Sequence, residues 1–455
     1  MGVGRVLSVG VALLGLGSVT VPAYAAVAEA HPSVVGTSAV SYTPQVVSTT
    51  AVPKPHVDAI ANLGDDADTT FAGGLFDTVS QGTRSYPRSN LVSFDGATGA
   101  VSTTFDTAIG GQVWALATDV ATNSVYVGGA FKTVDGATRS ALVKLNATTG
   151  ARDAAFNPPF TGGQVNDLEI VTIAGVKRLV VGGSSGRKLM SLNPASGRDD
   201  GYFKNVISDP LPGAWGGVSV YGVAIDPSGT HLVATGNFLK VDGAARSKFF
   251  MVDLGAYSAS LSSWYYPGFA KPCATDAPRR IANLQGLDWS PDGLAFTVAA
   301  TGQIPAERPA DIWYHRLGVR NKPNTSVCDA VGRFKLSDPT KPVWINYTGG
   351  DSVWSVSDTG KAVYVAGHFK WLDNPDGYAS LGVGDKTSGA PAASRRGIGA
   401  IDPVTGLANS WNPGLTGTRS GGKALVPDAG GLWIGNDATR FNGQVRYGLA
   451  YAPLP

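Results

Sequence analysis

The sequence is poor in glutamate and in charge, and each shortage excludes a class of protein. Only three of the 34 acidic residues are glutamates, namely Glu29, Glu169 and Glu307. Aspartate is typical of turns and glutamate of helices, so this balance indicates an all-β fold. With 15% charged and 43% hydrophobic residues, the composition is globular rather than disordered. A formal net charge of +2 provides no basic field, which excludes nucleic acid as a partner.

Long apolar runs are confined to the N-terminus. Arg5 precedes an apolar stretch from Val6 to Val21, and Ala23-Tyr24-Ala25 is typical of a cleavage site. We therefore predict a signal peptide over residues 1–25 and export by the general secretory route, since no twin arginine is present. No later run reaches 18 apolar residues, so we expect an extracellular mature protein, residues 26–455, without membrane insertion.

A repeated sequence motif predicts the architecture. Val125-Tyr-Val-Gly-Gly-Ala-Phe-Lys-Thr-Val-Asp-Gly136 has weaker copies starting at Phe71, Val233 and Val363. Short apolar strands precede these copies, and seven such strands start near residues 57, 113, 165, 220, 284, 353 and 422. Each unit continues with a third strand, a turn and a fourth segment. Four antiparallel strands repeated seven times predict a seven-bladed β-propeller, with six or eight blades as alternatives because two units are degenerate.

The two ends of the chain favour ring closure. The last unit stops at its third strand, and Ser41-Tyr-Thr-Pro44 resembles the fourth-segment line Ser410-Trp-Asn-Pro413. We therefore predict that an N-terminal strand near residues 40–48 completes the last blade of a single domain, residues 26–455. Such closure leaves no exposed sheet edge to pair with other chains.

The Gly-Gly-x-Phe repeats carry a family resemblance. Together with Gly367-His-Phe-Lys-Trp371, Arg396-Gly-Ile-Gly-Ala-Ile-Asp-Pro403 and Ser410-Trp-Asn-Pro-Gly414, they resemble the kelch-like β-propeller repeats of secreted actinobacterial proteins of unknown function. The resemblance covers nearly the whole mature chain. It implies a bacterial, secreted propeller, and it implies no particular reaction.

Three long insertions are the main functional signal. They span residues 267–283, 301–331 and 371–397, and each follows a second or a fourth strand, connections that share one face of a propeller. Long loops with aromatic and arginine side chains are typical of binding surfaces. The alternative is that these side chains pack the insertions onto the ring. The candidate ligand-binding residues are Trp313, His315, Arg316, Trp371, Tyr378, Arg395 and Arg396.

Cys273 and Cys328 are the only cysteines, and both lie in these insertions. An even pair in an exported chain predicts a disulfide.

Motifs for catalysis or metal binding are lacking. The sequence has no zinc-binding or nucleophile-elbow motif, so we assign no catalytic residue, metal or cofactor. A glycosidase carboxylate pair drawn from Glu169, Glu307, Asp311 and Asp385 stays as an alternative. Neither Asp373–Gly377 nor the aspartates at 65, 66 and 68 have the spacing of a calcium loop.

Three aromatic residues, Trp114, Tyr221 and Trp354, occupy equivalent positions of the first strands. An aromatic ring around the central channel is conceivable, but packing between blades is the favoured interpretation.

We therefore expect a secreted, non-catalytic recognition module. It would bind an extracellular glycan or a protein partner through the face that carries the insertions. The alternatives are a secreted carbohydrate-active enzyme, either a glycosidase or a lyase, that uses carboxylates on that face, and a structural subunit of a secreted assembly.

Overall fold

The computed structural model describes residues 29–64, 69–212, 216–273, 282–301, 327–377, 381–417 and 421–455. The expected all-β fold is confirmed, since this part of the chain consists of 36 strands and two short 3₁₀ turns, Val120–Thr122 and Pro267–Ala270. It includes no helix of the length and apolarity that crossing a membrane requires. The signal peptide expected for residues 1–25 lies outside the described residues.

The N-terminal strands are β1 (Gln45–Val46), β2 (His56–Asn62), β3 (Thr70–Leu75), β4 (Thr78–Gln81), β5 (Arg84–Pro87), β6 (Leu91–Phe94), β7 (Val113–Asp119), β8 (Ser124–Gly129), β9 (Thr133–Val134), β10 (Ala137–Thr138), β11 (Leu142–Asn146), β12 (Val165–Ile173), β13 (Val176–Gly183), β14 (Leu189–Leu192), β15 (Ile207–Ser208), β16 (Ser219–Ile225), β17 (His231–Asn237), β18 (Lys240–Val241), β19 (Ala244–Ala245), β20 (Phe249–Leu254) and β21 (Ala259–Leu261).

The C-terminal strands are β22 (Asn283–Trp289), β23 (Ala295–Thr301), β24 (Ala330–Lys335), β25 (Trp344–Tyr347), β26 (Val353–Asp358), β27 (Val363–Gly367), β28 (Trp371–Leu372), β29 (Ala393–Ser394), β30 (Ile398–Ile401), β31 (Leu415–Thr416), β32 (Gly422–Asp428), β33 (Gly431–Asn436), β34 (Arg440–Phe441), β35 (Gln444–Val445) and β36 (Leu449–Pro453).

Seven antiparallel sheets share one order, in which a first strand pairs with a second and the second with a third. They are β2-β3-β6, β7-β8-β11, β12-β13-β14, β16-β17-β20-β21, β22-β23-β24-β25, β26-β27-β30 and β32-β33-β36, numbered here as sheets 1 to 7. The first strand of each sheet contacts the first strand of the next, and β32 also contacts β2. The other sheets are small: β1-β4-β5, β9-β10, β15-β18-β19, β28-β29 and β31-β34-β35.

Seven buried apolar clusters lie between neighbouring sheets. One joins Phe71 of sheet 1 to Val113 of sheet 2, and another joins Trp433 of sheet 7 to Val57 of sheet 1. The other five clusters lie between the intervening pairs of sheets. No hydrogen-bonded ladder joins one of these seven sheets to the next in the described chain. Side-chain burial, at about 1.5–3 kcal/mol for each large apolar residue, therefore holds the sheets together.

Close packing of the backbone explains the Gly-Gly pair of the repeats. A Cβ atom on Gly128 would lie 2.5 Å from Val165 Cγ1 of the next sheet. A Cβ atom on Gly129 would lie 2.2 Å from the carbonyl oxygen of Gln112, where the first strand of the same sheet bulges. Glycine at the first position thus allows neighbouring sheets to approach, and glycine at the second accommodates the bulge.

The prediction of four strands in every unit is wrong for five sheets. Only sheets 4 and 5 have four strands among the described residues. In sheets 1, 2, 3 and 6 the fourth segment forms one isolated bridge, at Val101, Arg152, Asp199 and Ala408 respectively. These outer segments are short and largely exposed, so little side-chain burial favours a longer ladder.

The N-terminal segment lies beside the third strand of sheet 7. The Gly36 amide donates to the Pro453 carbonyl at 2.8 Å, and the Val40 amide donates to Tyr451 at 3.0 Å. Within the stretch expected to complete the last blade, Gln45–Val46 instead pairs with β4 of a small sheet.

Candidate functional site

One end of the seven sheets carries a layer of small hairpins. The hairpins β4–β5, β9–β10, β18–β19, β28–β29 and β34–β35 each connect a second strand to a third strand. The connections that lead into first strands lie at this same end, and β1, β15 and β31 pair with three of the hairpins. The turn at Asp135-Gly136 has positive φ at both residues (48° and 76°), as a two-residue hairpin with this twist requires. We call this surface the hairpin end.

The predicted disulfide is confirmed. Cys273 and Cys328 are bonded, with their Cα atoms 5.6 Å apart. Cys273 precedes sheet 5, whereas Cys328 lies between the second and third strands of that sheet. The bond therefore ties two of the inserted connections together at the hairpin end.

Arg395 occupies a recurrent structural position. Its guanidinium donates to the carbonyl oxygens of Ser394 and Asn409, and its neighbour on the sequence, Arg396, is exposed. Arg139 in sheet 2 also donates to the segment that follows the third strand, to Asn157 Oδ1 and to the Phe156 carbonyl. Related contacts recur at Arg88, Arg246 and Arg446. This recurrence favours a role for Arg395 in holding the fourth segment, and its contact with a ligand stays a prediction.

The other candidates are divided between described and undescribed parts of the chain. Trp371 is half-buried on β28, and a Cβ atom on Gly382 would lie 2.6 Å from its ring. Trp371 therefore packs closely against its own insertion. Trp313, His315, Arg316 and Tyr378 lie outside the described residues, as do Glu307 and Asp311 of the carboxylate alternative.

Each first strand contains a β-bulge near its start, at the hairpin end. In six sheets the first unpaired residue follows a fully buried valine or leucine and is polar or aromatic, and in sheet 7 the unpaired Lys423 follows the buried Gly422. All seven side chains are half-buried. We call them the bulge positions: Asp58, Trp114, Asn166, Tyr221, Gln285, Trp354 and Lys423.

Three bulge positions from three sheets form one charged and aromatic network. Lys423 Nζ lies 3.3 Å from Asp58 Oδ1 and 4.7 Å from the centre of the Trp354 ring. Gln112 Nε2 donates to Asp58 Oδ2 at 2.6 Å, and His56 lies 3.2 Å from the same oxygen. Burial alone would raise the pKa of Asp58, but the His56 hydrogen bond and the Lys423 charge hold that pKa below its usual value.

A second acidic group extends this network. The His368 ring is 4.1 Å from the Trp354 ring between centroids, and His368 Nε2 lies 3.6 Å from Asp437 Oδ2. The Gly421 amide donates to Asp437 Oδ1 at 2.8 Å. Burial acts to raise the pKa of Asp437, but the His368 and Gly421 hydrogen bonds lower it. Trp354 is thus fixed between a lysine and a histidine.

The interpretation as packing between blades is wrong for Trp114 and Tyr221, whereas Trp354 does contact the neighbouring sheet through Lys423. None of the three belongs to a buried core cluster, whereas the preceding residues Val113 and Val220 are fully buried. The bulge moves the aromatic side chain out of the interface between sheets. The sequence signal was the single polar or aromatic residue that follows the first apolar residue of every first strand.

Alternative site chemistry finds less support in the described chain. Asp385 caps a turn by accepting from the Thr387 amide at 2.8 Å, and Asp373 accepts from the Ala408 amide. No three described histidine, cysteine, aspartate or glutamate side chains lie close enough to hold a metal ion. The acidic stretch Asp373–Gly377 is thus a turn in this part of the chain, and positions 65, 66 and 68 are not described.

Comparisons with known proteins show likeness in fold only. No family model matches the sequence, and no curated protein matches it. The chain is similar to the "Structure of Dos1 propeller" (9% identity, 90% of this chain and 95% of that chain, TM-score 0.48). It is also similar to the "Structure of U3-55K" (10%, 92% and 100%, 0.49) and to a Kuenenia stuttgartiensis hydrazine synthase (15%, 86% and 94%, 0.46).

Proposed function

We propose that the protein is a secreted recognition module, built as a closed seven-bladed β-propeller, that binds an extracellular glycan at its hairpin end. Three observations support closure. An apolar cluster joins sheet 7 to sheet 1, β32 contacts β2, and the N-terminal segment bonds to β36. Secretion rests on the apolar N-terminal stretch and its small-residue cleavage site.

The bulge positions carry the functional part of the proposal. Backbone bulges hold seven side chains at equivalent places, and none of those side chains is needed to fill the core. Trp114 and Tyr221 offer partly exposed aromatic faces, on which the apolar face of a sugar ring stacks. Asn166 is held by hydrogen bonds to Ser219 and Val220 at 2.9 and 2.6 Å, so its amide is preorganised. Fixed polar groups beside aromatic surfaces are typical of small-ligand sites.

A glycan array with the purified mature protein tests the proposal. Trp114→Ala and Tyr221→Ala should each weaken binding by about 2 kcal/mol, roughly thirtyfold, as loss of an aromatic anchor does. The melting temperature should change little, because neither side chain belongs to a core cluster. Tyr257→Ala is the matched control, since Tyr257 is 95% exposed in the β20–β21 turn at the opposite end.

Three results would contradict the proposed glycan-binding function. Normal binding with a lowered melting temperature in both variants would return these residues to a packing role. Recovery of a stoichiometric protein partner, without any glycan signal, would show that the ligand is that protein and not a glycan. Turnover of a bound polysaccharide, abolished by Glu307→Gln or Asp311→Asn, would establish the enzyme alternative.

A further inference from the structure

A cavity of about 440 Å³ lies away from the hairpin end, where first strands run into second strands. First strands or their following turns from sheets 1, 3, 4, 5, 6 and 7 line it. The apolar part of its lining includes Leu287, Val356, Leu425 and Pro427. The cavity is therefore built jointly by six sheets rather than by one loop.

The polar lining of this cavity is acidic. Glu29, Glu169, Asp288 and Asp428 line it, and none of the lysines, arginines and histidines that the structure describes does. Asp428 is fully engaged, because Tyr451 and Trp433 donate to its two oxygens at 2.8 Å each. Asp288 accepts from the amides of Trp289 and Asp358. Neutral donors thus satisfy these two carboxyl groups, and no cation among the lining residues balances the charge.

Glu169 is different, because one of its oxygens has no partner. The Ile225 amide donates to the Glu169 carboxylate, but Oε2 is buried and receives no hydrogen bond from any described residue. The Ser357 side chain is 1% exposed and also lines the cavity. The Ser357 hydroxyl lies beside Asp288 and lowers the Asp288 pKa slightly. The two side chains do not form a regular hydrogen bond, so the hydroxyl has no partner among the described residues.

Burial governs the titration of Glu169 and Asp288, and of Asp167, which is near Glu169 but does not line the cavity. It raises the pKa of Asp288 to about 7, that of Asp167 to about 6, and that of Glu169 well above its usual value. The nearby charges of Asp167 and Asp288 raise the Glu169 pKa further. A bound positive charge would reverse each of these effects.

We propose that the cavity is a binding site for a small alkylammonium ligand, with Glu169 and Ser357 receiving its charged head and the aliphatic side chains contacting its methylene groups. A metal ion fits poorly, since no described trio of ligating side chains converges. An ammonium group needs only hydrogen-bond acceptors and a charge, which a carboxylate and a hydroxyl oxygen supply. Four aliphatic residues in the lining match a short hydrocarbon chain.

Cadaverine is the probe, and isothermal titration calorimetry with the processed protein is the measurement. Pentane-1,5-diol is the matched uncharged compound and should not bind. Glu169→Gln should weaken cadaverine binding at least tenfold, because it removes the charge without changing the volume. Asp199→Asn is the matched control, since Asp199 is exposed and outside the cavity, and it should leave binding unchanged.

A second variant keeps the test valid should Glu169→Gln fold poorly. Ala429 is exposed at the rim of the cavity, so its replacement should not disturb the core. Ala429→Lys places a tethered ammonium group there and should compete with cadaverine, whereas Ala429→Met should not.

Proton release distinguishes this site from a nonspecific one. At pH 7, binding of an ammonium should expel protons from carboxyl groups with raised pKa values, so the measured enthalpy should vary with the ionisation enthalpy of the buffer. Equal affinity for the diamine and the diol, or no effect of Glu169→Gln and Ala429→Lys, would overturn the proposal. The protein's own N-terminal amine is another ammonium group. If cadaverine bound only after that amine had been acetylated, the amine would be the natural occupant of the cavity and the proposal of a free ligand would be overturned.

Discussion

Two groups of buried carboxyls, one at each end of the first strands, differ in the charges that lie beside them. At the hairpin end, Asp58 and Asp437 lie beside Lys423 and His368, and their pKa values are lowered. At the cavity end, Asp288 and Glu169 have no cationic partner among the lining residues, and their pKa values are raised. The molecule therefore has one set of carboxyls balanced by cationic side chains and one set without such balance. Stability should depend on pH with opposite sign at the two ends.

The difference indicates which end tolerates substitution. The carboxylates of the hairpin end stabilise the fold as ionised groups, so loss of a cationic neighbour there leaves a charge without its partner. At the cavity end Asp288 and Glu169 destabilise the fold when ionised, so loss of a charge at either residue relieves a cost. The hairpin end therefore needs its charged residues for stability, whereas these two charged residues of the cavity end lower the stability of the fold.

Deleting residues 29–46 should have the largest effect, because this segment touches both ends. His31 contacts the Asp428 carbonyl beside the cavity, and Val46 belongs to β1 at the hairpin end. The deletion removes Val35 and Val46 from two core clusters and exposes the edge of β36. We expect aggregation or a melting temperature lowered by more than 10 °C. Removing only residues 26–28 is the control, and an intact melting curve for the longer deletion would contradict closure.

Removing the disulfide should have the next largest effect, confined to the hairpin end. The bond closes a span of 55 residues, worth on the order of 4 kcal/mol in the chain-entropy model, and less if the sheets already restrain the loops. Chemical denaturation of the Cys273→Ser/Cys328→Ser protein measures the loss. The wild-type protein under reducing conditions should behave in the same way. Alkylation of both thiols in the unreduced wild-type protein would show that no bond forms.

Lys423→Met tests the balanced end directly. The substitution leaves Asp58, whose side chain is 11% exposed, without its lysine partner, and we expect a loss of about 2 kcal/mol in the free energy of unfolding at pH 7. Asp58→Asn in the same protein should recover most of this loss, because no charge is then left unpaired. Lys361→Met, at an exposed position, should be neutral. A double variant no more stable than Lys423→Met would argue that the pair does not act as a unit.

The smallest expected effect is at the unbalanced end, and it depends on pH. A carboxyl with a raised folded-state pKa gives stability that is complete below its unfolded pKa, near 4, and lost as pH rises through the folded value. With Asp167 at about 6 and Asp288 at about 7, this loss falls between pH 4 and pH 8. Glu169→Gln should stabilise the protein by about 1–2 kcal/mol at pH 8 and by little at pH 4. Equal melting temperatures for wild type and variant at both pH values would exclude a charge cost at Glu169.

The sequence predicted the class of fold because turn and strand chemistry are local. The scarcity of glutamate and the repeated Gly-Gly-x-Phe line depend on short segments, and the all-β fold and the disulfide are confirmed. The number of four-stranded sheets was predicted too high. Whether a fourth segment forms a full strand depends on its burial, which the repeated motif does not encode. Trp114 was misassigned because a one-residue bulge reverses the side on which a side chain lies.

The cavity carboxyls were beyond sequence reasoning for another reason. Glu169 appeared only as one of several spare carboxylates, and Asp288 had no special pattern around it. Their importance comes from the convergence of strands distant in sequence, with sheet 3 and sheet 5 contributing to one cavity. Burial created by such long-range packing raises their pKa values, and no local motif reports it.

In sheets 1, 2, 3, 4 and 6 a glycine pairs with the residue that precedes the bulge, so the backbone geometry there does not depend on the side chain at the bulge position. Because Gly129 accommodates the bulged carbonyl of Gln112, the position of the neighbouring Trp114 is set by atoms that do not include its own side chain. Trp114, Asn166 and Tyr221, which lie outside the network of Asp58, Lys423 and Trp354, can therefore change residue type one at a time without disturbing the sheets. Through this arrangement one scaffold is able to present many different surfaces, in the way that variable loops do on an antibody domain, but from rigid strands. Libraries randomised at these three positions should yield folded proteins with new binding preferences.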